Sequence, residues 1–287
     1  MIRQAQPGEE ARLESFLAQH PNTSMFLRGN LAAHGLVPSD HPHSSTCWLA
    51  ETERGEIRAV VGCNNDGFLM AQVPEEIPGF WGAVTHALAG RKVAGMTGED
   101  GQVRGALAGL GLSGAPFTLS HDEPLYRMEL DRLEDPGAQL RQTQPGDEAM
   151  LKSWFFEHFL DTGFATNKLQ ASADARKRAA RVVHEKDLRL LLEHGYKPVA
   201  MAGINARVAN MVQLGSVHVP RDLRRGGRGR KVTAALLAEE RARGAEVAVL
   251  FANNAAAARV YEAIGFELVG RYRIAILSRP VPVGVVA

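Results

Sequence analysis

Arg3-Gln4-Ala5-Gln6-Pro7-Gly8-Glu9-Glu10-Ala11-Arg12-Leu13-Glu14-Ser15 returns later in the chain as Arg141-Gln142-Thr143-Gln144-Pro145-Gly146-Asp147-Glu148-Ala149-Met150-Leu151-Lys152-Ser153. Nine of the thirteen pairs are identical, where average composition gives about one by chance. Both copies have the same physical content. A short strand meets a Pro-Gly turn, and acidic residues then open an amphipathic helix whose positive dipole end they suit. A shared local need could by itself repeat so short a motif, but two further parallels follow in the same order. Trp48-Leu49-Ala50-Glu51 and then Val60-Val61-Gly62-Cys63-Asn64 answer to Leu191-Leu192-Glu193 and then Met201-Ala202-Gly203-Ile204-Asn205. Leu125-Tyr126-Arg127-Met128-Glu129-Leu130 answers to Arg271-Tyr272-Arg273-Ile274-Ala275-Ile276. The chain reads as a duplication. Two related domains are expected, residues 1–135 and 136–287, parted in the polar stretch 131–138.

A length of 287 residues suits two cores of ordinary size. Hydrophobic residues at 45% and charged residues at 23% give the balance of a globular protein rather than a disordered one. The net charge of +1, from 33 basic and 32 acidic side chains, excludes a polyanion-binding tail protein, although not a local basic patch. Cys47 and Cys63 are the two cysteines. No disulfide framework and no zinc spacing is present, so no metal is expected and a reducing compartment is. The first ten residues lack the apolar core of a signal peptide, and no run approaches the roughly 18 apolar residues of a membrane helix. A cytoplasmic protein without a membrane partner is the expectation.

In the second half the patterning predicts a strand at 139–141 and helices at 148–159 and 173–184. Strands follow at 188–192 and 198–204 around a turn at 194–197, with another at 211–219. A helix is expected at 231–242, a buried strand at 247–251, a helix at 255–264 stopped by Gly265, and final strands at 266–269 and 273–277. This order gives an α/β (α+β) domain with a mixed, splayed sheet.

The densest chemistry lies in Pro220-Arg221-Asp222-Leu223-Arg224-Arg225-Gly226-Gly227-Arg228-Gly229-Arg230-Lys231. The glycines let backbone N–H groups converge on a ligand. The helix that follows aims its unpaired donors at the same spot, and the arginines suit phosphate oxygens. The loop is neither a Walker loop nor a dinucleotide fingerprint. Downstream, Asn254 could cap a helix or meet a ligand amide, and alanines 255–258 permit close approach. Tyr261 lies two turns on, either as an ordinary core residue or as a hydroxyl with a task.

Together these stretches carry a resemblance. Val217-His218-Val219-Pro220 followed by Arg224-x-x-Gly227-x-Gly229 resembles the acyl-CoA loop of the GNAT N-acetyltransferase superfamily. Asn254-x-x-Ala257-x-x-x-Tyr261-x-x-x-Gly265-Phe266 is similar to that superfamily's second signature. The likeness covers residues 140–277, and it departs from the family pattern in its crowding of basic residues, with Lys231 where a small residue is usual.

The resemblance implies two GNAT-like domains, a tandem chain, with acetyl-CoA as co-substrate. Pyrophosphate would rest on the backbone of Arg225, Gly226, Gly227, Arg228, Gly229 and Arg230, with charge from Arg224 and Arg225. Pantetheine would pair with Val217, His218 and Val219. The Val219 N–H would hold the oxyanion, Asn254 and Ala257 would border the cofactor, and Tyr261 would protonate the departing thiolate. Gln213 stands where relatives often place a catalytic glutamate. His218, Glu193 or a water chain are unranked as base, with a core or capping role for each the plainer reading.

The first half lacks this equipment. Ala71-Gln72-Val73-Pro74 leads to acidic Glu75-Glu76 rather than to an arginine-glycine loop, and Leu107 falls where Tyr261 stands. It reads as a degenerate copy without a cofactor site, which packs on the catalytic domain and shapes the acceptor site. Transfer of acetyl from acetyl-CoA to a primary amine, on a small molecule or a peptide, is the expected function. The rivals are a non-catalytic acyl-CoA sensor and a nucleic-acid module built on the arginine loop. Near-neutral charge and the lack of interleaved aromatics count against the module.

Overall fold

The computed structural model describes residues 2–193 and 195–284. His194, the first residue of the turn expected at 194–197, lies outside them. The two halves build the same order of elements. The first gives β1 (Ile2–Gln4), α1 (Glu10–Leu17), α2 (Met25–His34), β2 (Ser45–Glu51), β3 (Ile57–Asn64), β4 (Phe68–Gln72), α3 (Phe80–Ala87), β5 (Lys92–Glu99), α4 (Asp100–Gly109) and β6 (Phe117–Glu129). The second gives β7 (Leu140–Gln142), α5 (Glu148–Asp161), α6 (Lys168–Val182), β8 (Leu188–Glu193), β9 (Lys197–Val208), β10 (Met211–His218), α7 (Arg228–Ala242), β11 (Val247–Phe251), α8 (Ala255–Glu262) and β12 (Glu267–Pro282).

The repeated opening motif is a side-chain staple. Arg3 pairs with Glu9 at 2.7 Å, and Glu9 also accepts from the Gln6 N–H at 2.8 Å. Arg141 pairs with Asp147 at 2.6 Å, and Asp147 accepts from the Gln144 N–H at 2.9 Å. An arginine on the strand thus fixes the acid that closes the Pro-Gly turn.

The chain divides into two compact units, Met1–Glu123 with Arg271–Ala287, and Pro124–Gly270. The expected split, 1–135 and 136–287, differs from this at both ends. In the first unit β1 to β4 are antiparallel neighbours, β4 and β5 are parallel, and β12 closes the row, with Tyr272 opposite Glu99 and Ile276 opposite Gly95. In the second, β7 to β10 are antiparallel, β10 and β11 are parallel, and β6 closes the row, with Glu129 opposite Val247 and Leu125 opposite Phe251. Each half therefore lends its last strand to the other unit. The polar stretch at 131–138 looks like a linker, but the contacts change hands inside β6 and β12, which no composition signal marks.

In each unit helices cover both faces of the sheet. In the second, Val232, Leu236, Tyr261 and Phe266 pack with Leu214 and Leu250 on the α7–α8 face. Leu151, Phe155, Ala175 and Ala179 pack with Leu190 and Met201 on the α5–α6 face. Two elements differ from what their pattern suggests. α6 begins at Lys168 rather than 173 because Asn167 accepts from the Gln170 N–H at 2.9 Å. β12 is one strand rather than two. Among the described residues no helix is long and apolar enough to cross a membrane.

Candidate active site

β10 and β11 begin as a parallel pair and then part. Their register covers Met211–Gln213 against Val247–Val249, while β10 continues along β9 until His218 lies opposite Met201. Gly215 faces Gly203, so Ser216 and Val217 share the single partner Ala202. This is a β-bulge, with Ser216 at φ 52. Strands that separate free backbone groups for an extended ligand. Alternation sends Val217 and Val219 to the α7–α8 core. His218 turns the other way, buried beside the rings of Trp154 and His158.

After Pro220 the chain makes a short turn over Arg221–Leu223. Gly227, at φ 70, then caps α7 in the left-handed conformation. That conformation starts the helix at Arg228, three residues sooner than the periodicity predicts. The N–H groups of Arg228, Gly229 and Arg230 fall in the first turn, where no carbonyl four residues back can accept them.

The loop's arginines divide into two kinds. Arg224 reaches the Val219 carbonyl at 2.9 Å and Asp161 at 2.5 Å, and Asp161 also holds Arg221 at 2.5 Å. Burial opposes the charge on Asp161, yet its bonds to Arg224 and Arg221 hold its pKa below the ordinary range. Arg228 clasps Glu193 at 2.8 Å and the Leu223 carbonyl at 2.8 Å. These two are braces. Arg225 and Arg230 are exposed and make no ion pair among the described residues, so they are the free arginines of the loop. A side chain at Gly226 would come 2.7 Å from Arg228 Nη1, while Gly229 faces only a Val219 methyl at 3.7 Å.

On α8, Asn254 accepts from the Ala257 N–H at 2.9 Å, so the cap is the role it fills. Tyr261 is buried and meets Phe266 edge-on at 6.0 Å. The neighbouring Glu262 accepts from the Tyr126 hydroxyl at 2.6 Å, which fastens α8 to β6. Val217, Val219, Ala257 and Tyr261 all border one core.

The base candidates fare differently. Gln213 is buried, donates to the Leu214 carbonyl at 2.8 Å and leaves Oε1 without a hydrogen bond. Glu193 is engaged by Arg228. Burial, followed by the charges of His158 and Arg224, pushes the His218 pKa down to about 3, so its ring is neutral near pH 7. No group of three or more His, Cys, Asp or Glu among the described residues is placed to hold a metal ion.

The first unit fills the same place with its own atoms. Gln72 lies opposite Val60 as His218 lies opposite Met201, so Val73 and Val219 correspond, each before a proline. The Val73 N–H donates to Gln102 Oε1 at 2.6 Å. Gln102 is the third residue past the cap Glu99, and Ala257 is the third past the cap Asn254. Trp81, second residue of α3, packs so closely on α4 that a Cβ at Gly109 would lie 2.2 Å from its own Cβ. The second residue of α7 is Gly229. At the C-terminal ends of the two helices, one residue out of step with the caps, Leu107 and Tyr261 correspond, since their carbonyls accept from Leu112 and Phe266. Sequence reading finds the loop and the tyrosine but misses the bulge, Asp161, Tyr126 and Gln102. Aligning the two caps, Glu99 on Asn254, would have exposed Gln102.

The sequence profile of the Acetyltransferase (GNAT) family matches residues 150–266. A search of curated proteins finds no match. Among solved structures, a Drosophila protein superimposes with a TM-score of 0.64 at 14% identity, over 96% of this chain and 98% of its own. A GCN5-related N-acetyltransferase from Sphaerobacter thermophilus gives 0.53 at 16%, over 100% and 98%. A tandem GNAT protein from the clavulanic acid biosynthesis pathway gives 0.51 at 13%, over 97% and 98%. At these identities the likeness is one of fold.

Proposed function

We propose, for a chain whose residues 150–266 form a domain of the Acetyltransferase (GNAT) family, that its second unit transfers acetyl from acetyl-CoA to a primary amine. The observation that carries the reading is the open, bulged end of β10 beside the capped start of α7. The first unit supports it by contrast, since an amide oxygen there already occupies the valine N–H.

The pyrophosphate rests on the first-turn amides of α7, with Arg225 and Arg230 supplying charge. Arg224 and Arg228 keep the loop in shape through Asp161 and Glu193. The pantetheine arm lies along Val217, His218 and Val219 in the gap between β10 and β11. The thioester carbonyl takes the Val219 N–H, as the Gln102 carbonyl takes that of Val73. The amine attacks, the oxyanion gathers on that N–H, and the Tyr261 hydroxyl protonates the departing thiolate. Ala257 stands where Gln102 does in the first unit and leaves the Val219 N–H open to the thioester.

Calorimetry with acetyl-CoA tests the binding, and thiol release over a panel of amines tests the transfer. Affinity that falls about tenfold or more in Arg225→Ala/Arg230→Ala supports the reading. A protein that binds no acetyl-CoA sinks it.

A further inference from the structure

Corresponding buried polar side chains are treated differently in the two units. Gln72 is buried, and its Oε1 accepts from the Thr23 hydroxyl at 2.8 Å. Its counterpart His218 has a side chain only 3% exposed, and its Nε2 makes no hydrogen bond. Buried polar atoms normally find a partner, so an unpaired one calls for a reason. This one faces Glu157 of α5, whose Oε2 lies 3.4 Å away. The other charged and titratable groups acting on it are His158 and Asp161 on α5 and Arg221 and Arg224 from the loop. Glu157 Oε2 also accepts from the Arg221 N–H at 3.3 Å, and 27% of that side chain remains exposed. A carboxylate therefore reaches solvent at the splayed end of β10, on the sheet face opposite Tyr261.

Building on the acetyl transfer proposed above, we propose that Glu157 is the base that takes the proton of the acceptor ammonium. His218 is its positioning residue: the neutral Nε2 accepts a hydrogen bond from the Glu157 carboxyl once that group is protonated. A carboxylate oxygen and an unprotonated imidazole nitrogen at 3.4 Å have no proton to share, and the incoming proton supplies one. In the full step the ammonium N–H breaks and its proton goes to Glu157. The freed lone pair forms the C–N bond; as the C–S bond breaks, the nitrogen gives up its second proton to water and Tyr261 protonates the thiolate. Glu157 passes its proton to water through its exposed edge, and Tyr261 regains one from solvent. Burial holds His218 near a pKa of 3, which keeps the ring an acceptor throughout the working range.

Two readouts test this in the full-length chain. Two-bond proton–nitrogen NMR spectra of the His218 ring at pH 7 should show an unprotonated Nε2 in the wild type. In Glu157→Gln, whose amide N–H can donate to that nitrogen, its resonance should move upfield. A ring already protonated at Nε2 at pH 7, or the same Nε2 resonance in both proteins, would overturn the assignment. In thiol release with acetyl-CoA and an amine that the panel shows to turn over, E157Q should lower kcat about 100-fold. Its affinity for acetyl-CoA should stay unchanged. His218→Gln, which installs the first unit's residue, should lower kcat about tenfold at unchanged KM for the amine and retain acetyl-CoA binding. Wild-type kcat in E157Q overturns this inference alone, whereas absence of acetyl-CoA binding in the wild type overturns the proposed function itself.

Discussion

In each unit a strand that leaves a parallel partner is followed by valine and then proline, and the valine N–H sits where the sheet opens. In the first unit that N–H is bonded to Gln102, the α3–α4 gap is packed by Trp81, and β4 is regular through Gln72. In the second the residue at the place of Gln102 is alanine, that at the place of Trp81 is glycine, and the strand is bulged. One fold thus exists in a closed and an open form within a single chain. The difference teaches that the site depends less on the fold than on what is kept out of it. Both units retain a left-handed glycine before the helix, Gly79 at φ 71 and Gly227 at φ 70. The turn survives where the ligand chemistry does not.

The largest effect expected comes from copying the plug. Ala257→Gln should place an amide oxygen on the Val219 N–H and lower kcat/KM by about 100-fold or more, the scale of losing an oxyanion donor. Retained activity would break the correspondence of Gln102 with Ala257. Next, Tyr261→Phe should lower kcat between about 100-fold and 10,000-fold with acetyl-CoA affinity unchanged in calorimetry. Equal losses in affinity would make Tyr261 a packing residue, as Leu107 is.

The buried histidines of the second unit give a middle-sized effect on stability. Burial pushes His158 down to about 4 and His218 to about 3, against about 6.5 in the unfolded chain. Between those values the unfolded chain binds more protons, so stability is complete above about pH 6.5 and falls as pH drops toward 4. Melts at pH 7.5 and 5 should differ by a stability of about 1–4 kcal/mol, and His158→Phe should flatten the difference. A melt as steep in that variant as in the wild type would assign the acid sensitivity elsewhere.

The smallest effect tests the duplicated staple. Arg141→Ala and Arg3→Ala should each cost about 1 kcal/mol in chemical denaturation. The Arg141 variant should lose more, because Asp147 is 9% exposed and Glu9 21%. Equal and negligible losses would leave the motif without an energetic role.

Sequence reading finds what is local. The staple motif, the arginine-glycine loop and the Asn254–Tyr261 spacing are all short-range patterns, and each marks a real turn, cap or helix in the structure. It misses what depends on pairing. The exchange of β6 and β12 needs the register of strands far apart in the chain. Glu157 and Asp161 lie on α5, some sixty residues before the loop they meet, so nothing in the loop's own sequence announces them. Arg224 and Arg228 read as phosphate ligands by type and serve as braces by position.

A titration of the full-length chain with acetyl-CoA, read by calorimetry for its stoichiometry, tests the contrast between the units most directly. The account predicts one site per chain, abolished by Ala257→Gln. Two sites per chain, or none, would contradict it.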